Sequence, residues 1–239
     1  SDLDNLEQTI NNESRTLLGA DLVIRSQHNF SEEVNALIDS IGGEQTREVR
    51  FASMVYFPKT DGTRLVQIRA LTGAFPYYGT FETEPIQAAY TYQTERTALL
   101  DDGLLIQFGI DVGDSVRIGN HTFVIGGRIK KIPGEAMAFS TIAPRVYIPL
   151  ADLDKTDLIK YGSLASYLAY FKLDNNTNIR DIEKNIQPYR EENRLRTETV
   201  ASRQRRLNRT LGNLYSFLNL VAFSALLLGC IGVASAIHV

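Results

Sequence analysis

The residues from Thr210 to Ile237 include no charged side chain, and this feature limits what the chain can fold into more than any other. A helix needs about 20 apolar residues to cross the hydrocarbon core of a bilayer, and this segment is longer. A buried core helix is the alternative, but such helices are normally shorter. We therefore predict a transmembrane helix at residues 214–239, surrounded by the lipid bilayer. Small residues along it would allow another membrane helix to pack closely, and these are Ala225, Gly229, Gly232 and Ala236.

Two amphipathic segments flank the rest of the chain, and both carry apolar residues in steps of three and four. We predict that residues 1–17 and 199–213 form two helices of an antiparallel stalk that leads into the transmembrane helix. A helix packed on a core shows the same stripe, so it is the position of the two segments that favours a stalk. The predicted seam residues are Leu3, Leu6, Ile10, Leu17, Val200, Leu207 and Leu211.

Residues 18–75 and 166–198 alternate between strand and helix patterns. The first part predicts a strand, a helix capped by Ser31, and a hairpin that turns at residues 59–62. The second part predicts one strand followed by one helix. This order indicates an α+β fold, in which helices cover one face of a sheet.

Residues 76–165 differ in composition, because residues 76–163 hold five of the seven prolines. A short helical turn at residues 104–109 precedes two short strands that are joined by a turn at Gly119 and Asn120. We expect this region to be a β-rich subdomain inserted into the first one, which makes the first subdomain discontinuous.

Several motifs, taken in order, resemble the extracytoplasmic domain of MacB/FtsX-like ABC-transporter permeases, which lies between the first and second membrane helices. They include LLGADLVI at residues 17–24 and the pattern LxxxGxxVGDxV at residues 105–116. A closer similarity, to YbbP-type permeases, rests on the following segments: FASM at 51–54, FPYYG at 75–79, APRVYIPLADLDKT at 143–156, and Gly162 with Ser163.

The resemblance implies a porter-like subdomain formed by residues 18–75 and 166–198, with a sabre-like subdomain inserted at residues 76–165. It also implies a location in the bacterial inner membrane, with the soluble part in the periplasm. Its implied partners are a separate ABC ATPase subunit, bound through cytoplasmic regions that this chain lacks, and further permease helices. ATP-driven movement would pass through the stalk to substrate handling or partner activation outside the membrane. The chain is therefore expected to be a fragment of a longer protein.

The sequence gives no support for catalysis. It contains no Walker A motif, no GxSxG motif and no GxGxxG motif, so the ATPase is expected to be a separate polypeptide. Asp102 with Gly103, and Asp114, are interpreted as turn residues, and the histidines lie too far apart for metal-ligand spacing. We predict no catalytic, cofactor-binding or metal-binding residues and no cofactor. The groups considered are Asp101, Asp102, Asp111, Asp114, His28, His121, His238 and the single cysteine, Cys230.

An aromatic-rich stretch lies at the entry to the inserted region, and it contains Tyr77, Tyr78, Phe81, Tyr90 and Tyr92. These side chains either pack the junction between the subdomains or form an apolar patch for a lipid-like substrate or a periplasmic partner. The formal net charge of −3 argues against a nucleic-acid partner. The alternative function is a membrane-anchored sensor or partner-binding domain of a signalling protein.

Overall fold

The computed structural model describes residues 2–135 and 142–237. The helices are α1 Asp2–Leu18, α2 Glu32–Ile41, α3 Ala88–Glu95, α4 Asp102–Phe108, α5 Leu153–Thr156, α6 Ile179–Ile186, α7 Tyr189–Glu192 and α8 Val200–Ile237. The strands are β1 Leu22–Ser26, β2 Glu44–Phe57, β3 Gly62–Thr72, β4 Glu82–Glu84, β5 Ala98–Asp101, β6 Ser115–Ile118, β7 His121–Lys131, β8 Arg145–Pro149, β9 Ser166–Lys172 and β10 Arg196–Thr199. The predicted α+β class is confirmed.

Within the described residues, the strands form one mixed sheet in the order β10-β1-β9-β2-β3-β8-β5-β7-β4, and β6 pairs with β2 and β7. Two strand pairs, β3–β8 and β5–β7, are parallel. The strands of the predicted insert thus continue the sheet built by β1, β2, β3, β9 and β10. The division into porter-like and sabre-like subdomains stays a prediction.

A side-chain cap marks the start of α2, and the longest hairpin pairs in one continuous register. The Ser31 hydroxyl accepts a hydrogen bond from the backbone N–H of Val34 at 3.2 Å, as expected for an N-cap. Strands β2 and β3 pair from Arg47 opposite Thr72 to Phe57 opposite Gly62, so the predicted hairpin is confirmed.

Side chains on one face of the sheet form two apolar clusters. Helices α2 and α6 cover the first cluster, which contains Ile24, Ile38, Phe171 and Ile186. The second cluster lies farther along the same face, where residues of β2, β3, β5, β7 and β8 pack with those of α4. Its fully buried members include Phe57, Ile68, Leu100, Phe123 and Ile148. These two clusters form the main core.

The opposite face carries two smaller apolar clusters. One contains Leu71, Leu99 and Tyr147 of the strands, with Tyr92 of α3. The other contains Leu18 of α1 together with residues of β1 and β9. The end of α1 therefore packs against this face of the sheet.

The chain divides into two compact units, Ser1–Val200 and Ala201–Val239. In the second unit the structure describes α8 as one continuous helix, with exposed apolar side chains such as Phe217, Leu228 and Ile231. By length and composition, this is the one helix among the described residues that is able to cross a membrane. A helix of residues 214–237 is about 36 Å long at about 1.5 Å per residue, and a hydrocarbon core is about 30 Å thick.

We expect a chain that ends at Arg209 to be soluble and folded, because every buried apolar side chain of the four clusters lies between Leu18 and Val200. The complete chain is expected to need detergent. Gel filtration and circular dichroism of both proteins in plain buffer test this. A complete chain that is monomeric without detergent would show that residues 214–239 are not a membrane helix.

Candidate functional site

The last residue of α1 and the first residue of α8 are buried in the same apolar cluster. Leu18 and Val200 are each 8% exposed, and both pack with Val23, Leu168 and Tyr170 of the sheet. We call this cluster, completed by Ala20, the helix joint. The two helices predicted as a stalk thus enter the folded domain at one place.

The loop of residues 73–81 lies against the end of α1. The backbone N–H of Tyr77 donates to the carbonyl oxygen of Gly19 at 2.8 Å, and the Tyr78 hydroxyl donates to Asp21 Oδ2 at 2.9 Å. Gly19 has a φ of 72°, and a Cβ atom built there would lie 2.8 Å from the ring of Phe75. A residue with a side chain is therefore disfavoured at position 19 for both conformation and space.

A buried ionic network lies beside the helix joint. Glu48 Oε1 accepts hydrogen bonds from Arg69 Nε at 2.9 Å and from Arg69 Nη2 at 2.6 Å, while Oε2 accepts one from Arg50 Nε at 2.6 Å. The side chain of Glu48 is fully buried, and that of Arg69 is 2% exposed. The Tyr170 hydroxyl donates to Glu48 Oε1 at 3.3 Å, which links the network to the helix joint.

The network continues into strands of the predicted insert. The Glu135 carboxylate bridges two arginines, with Oε1 at 3.0 Å from Arg69 Nη1 and Oε2 bonded to Arg145 Nη1. Arg145 also pairs with the buried Asp101, with 3.0 Å between Nη2 and Oδ1. The bridging carboxylate is 30% exposed, so it closes the network toward solvent.

Burial alone raises the pKa of Glu48, because it disfavours the charged form. The charges of Arg69 and Arg50, and their hydrogen bonds, outweigh burial and lower this pKa from 4.5 to about 2. The ionised carboxylate thus stabilises the fold above pH 4.5, and this contribution is lost as the pH falls from 4.5 toward 2.

Replacing Glu48 with Gln is expected to lower the free energy of unfolding at pH 7 by about 3–5 kcal/mol, because the buried guanidinium of Arg69 loses its buried counter-charge and keeps only the partly exposed Glu135. The difference from the unsubstituted protein should shrink as the pH is lowered from 4.5 toward 2. Urea unfolding followed by circular dichroism at several pH values measures it.

Glu44→Gln is the matched control, since Glu44 is 63% exposed and lies 4.0 Å from Lys172. It should change stability by less than about 1 kcal/mol. Equal effects of the two substitutions at pH 7 would contradict the role given to the buried pair.

The five aromatic residues of the predicted patch differ in burial and do not form one exposed surface. Tyr92 is 3% exposed, and Phe81 packs on the same cluster; burial raises the pKa of Tyr92. Tyr77 and Tyr78 are half-buried against the end of α1, whereas Tyr90 is 79% exposed. Beside Tyr90 lies a cavity of about 290 Å³ that the 73–81 loop also lines. The substrate or partner role of the patch stays a prediction.

The predicted seam and packing residues have the following placements. Ile10, Leu17 and Leu207 are half-buried, and Leu211 is 51% exposed. Ala225 and Gly229 lie exposed on α8. Leu3, Leu6, Gly232 and Ala236 lie in helices, but their burial is outside the described part of the structure, and His238 is outside it altogether. The seam itself stays a prediction.

Within residues 2–135 and 142–237, no group of three or more His, Cys, Asp or Glu side chains is placed to hold a metal ion. No functional role was predicted from the sequence for Asp21, Glu48 or Arg69. The pairing of β2 with β3 does, however, indicate a role for Glu48 and Arg69. This pairing sets Arg50 opposite Arg69, and two like charges in that position are destabilising unless a carboxylate lies near them, as Glu48 does.

Residues 3–189 match the family model described as MacB-like periplasmic core domain. The chain belongs to this family. The resemblance to MacB/FtsX-like permeases predicted from the sequence is therefore confirmed.

A curated relative is the uncharacterized ABC transporter permease YbbP of Escherichia coli (strain K12), which is 25% identical over 236 residues. The match covers 98% of this chain and 28% of that protein, so the chain spans less than a third of its relative's length.

Two solved structures are also similar. The periplasmic region of MacB from Actinobacillus actinomycetemcomitans is 9% identical with a TM-score of 0.47, covering 82% of this chain and 96% of that one. The extracellular domain of the noncanonic ABC-type transporter YknZ from Gram-positive bacteria is 9% identical with a TM-score of 0.48, covering 74% of this chain and all of that one.

Proposed function

We propose that this chain is the extracytoplasmic part of a permease subunit in the bacterial inner membrane, with α8 crossing the bilayer. In this proposal it relays a conformational change, driven by a separate ABC ATPase, to substrate handling or partner activation outside the membrane. The ATPase and further permease helices would be contacted through regions of the permease outside this chain. The chain itself carries out no chemical step.

The observation that carries this proposal is the helix joint. Leu18 ends α1 and Val200 begins α8, and both are buried against the same sheet residues. A displacement of either helix along its axis would therefore act on the same part of the sheet. Family membership and the apolar part of α8, which carries no charged residue from Thr210 onward, support the membrane context.

The two helices are proposed to pair outside the joint through Leu6 and Ile10 of α1 and Leu207 and Leu211 of α8. These positions keep the spacing of a two-helix seam. The exposed Tyr90 and its neighbouring cavity mark the place proposed to receive a lipid-like substrate or a periplasmic partner. An exposed aromatic side chain beside a cavity is suited to apolar contact.

Leu207→Pro in the full-length permease with its ATPase tests the relay. Proline removes a backbone hydrogen bond and clashes with the preceding turn, which costs about 3 kcal/mol locally. ATP hydrolysis is expected to persist, while the ATP-dependent change in amide hydrogen exchange of residues 18–200 is lost. Leu207→Ala keeps the helix and removes mainly the side-chain contact, so its effect should be smaller.

Circular dichroism and thermal unfolding of the Leu207→Pro protein serve as the folding control, because position 207 lies outside the four apolar clusters. If the proline variant keeps the full ATP-dependent change, the helices are a passive tether and the proposed relay is wrong.

A further inference from the structure

Asp21 lies between α1 and β1, and its carboxylate contacts three separate segments. Oδ2 accepts hydrogen bonds from the Tyr78 hydroxyl and from the backbone N–H of Leu173, both at 2.9 Å. Oδ1 lies 3.5 Å from Nε of Arg15, in the last turn of α1. One side chain thus links the end of α1 to the 73–81 loop and to the residue after β9.

The surroundings of Asp21 hold this carboxylate in place. The residue is 7% exposed, and its own backbone N–H donates to the carbonyl oxygen of Phe171 at 2.8 Å. The guanidinium of Arg15 lies 5.4 Å from the centre of the Tyr78 ring, so each of Arg15, Asp21 and Tyr78 contacts the other two. A buried carboxylate is stable only when it is paired and hydrogen-bonded, and here both conditions are met.

The contacts of Asp21 differ in kind from those of the helix joint. The joint consists of apolar side chains, whose attraction has no preferred direction. Hydrogen bonds to an ionised carboxylate are short and directional. The joint therefore passes displacement of α1 to the sheet without a preferred direction, whereas Asp21 ties the end of α1 to particular atoms of Tyr78 and Leu173.

We propose that Asp21 is the positioning residue that couples movement of α1 to the 73–81 loop and to the end of β9. This inference rests on the proposed function, in which α1 carries ATP-driven movement. The loop lines the cavity beside Tyr90 through Gly73, Phe75, Pro76 and Gly79. Movement of α1 would therefore change the shape of that cavity.

The test is Asp21→Asn in the full-length permease assembled with its ATPase, measured by amide hydrogen exchange with and without ATP and vanadate. Asparagine has nearly the same shape but no charge. Its one oxygen can take the place of Oδ2, so the bonds from Tyr78 and Leu173 lose the charge of their acceptor, and an NH2 group replaces Oδ1 beside Arg15 Nε. In the unsubstituted protein, nucleotide should change exchange both in α1 and in residues 73–81. In the variant the change in residues 73–81 should fall several-fold, while ATP hydrolysis and the change in α1 persist.

Two further variants separate coupling from a general loss of stability. Tyr78→Phe removes only the hydroxyl and should give a partial loss at residues 73–81. Asp39→Asn removes a carboxylate that is 72% exposed and paired with Arg47 at 3.1 Å, far from α1 in sequence, and should change nothing. Thermal unfolding of each variant, without nucleotide, shows whether the fold is kept.

The outcomes also distinguish this inference from the proposed function. If Leu207→Pro abolishes the nucleotide-dependent change but Asp21→Asn leaves residues 73–81 responding as before, the relay stands and the role of Asp21 is wrong. If nucleotide does not change amide hydrogen exchange anywhere in residues 18–200 of the unsubstituted protein, the proposed function itself is wrong, whatever the Asp21 variant shows. An equal loss in Asp21→Asn and Asp39→Asn would also overturn the role of Asp21.

Discussion

The ion pair between Glu48 and Arg69 is fully enclosed, and an enclosed charge costs several kcal/mol unless its partner is in place. Residues from all three sequence parts of the domain complete this network: Glu48 and Arg69 from residues 18–75, Arg145 from 76–165, and Tyr170 from 166–198. Any other register of β2, β3, β8 and β9 would separate these groups and leave buried charges without partners. The network thus constrains how the parts of the sheet are joined, and the helix joint is built on that sheet.

Tyr170 connects this constraint to the proposed function. Its hydroxyl bonds with Glu48, and its ring lies in the helix joint, 3.9 Å from the ring centre of Phe75. The ends of α1 and α8 thus lie on a part of the sheet that is held by charge pairs beside the helix joint, on the same face. Movement of the helices is passed on only if the sheet at the helix joint is rigid, and a fully hydrogen-bonded buried network makes it rigid.

Local signals predicted much of the fold. The cap at Ser31, the β2–β3 hairpin and the long apolar helix were each readable from neighbouring residues, because caps, turns and uncharged runs act within a few positions. The parallel pairing of β3 with β8 was not, since it joins residues about 80 positions apart that no single turn connects. Glu48, Arg50 and Arg69 alternate with apolar neighbours along their strands. This pattern is typical of a strand with one exposed face, so the burial of these three residues could not be predicted without knowing which elements cover them. Asp21 shows the same limit, because its partners come from three distant segments.

Pulsed electron paramagnetic resonance between spin labels at Asn12 and Asn208, in a Cys230→Ser background, tests the central claim most directly. Both positions are exposed, and they lie at comparable distances along α1 and α8 from the helix joint. Packed helices have axes about 8–10 Å apart, so the account predicts one narrow distribution at short distance in the full-length permease with its ATPase. It also predicts that ATP with vanadate shifts that distribution. A broad distribution that nucleotide leaves unchanged while ATP is hydrolysed would contradict the account.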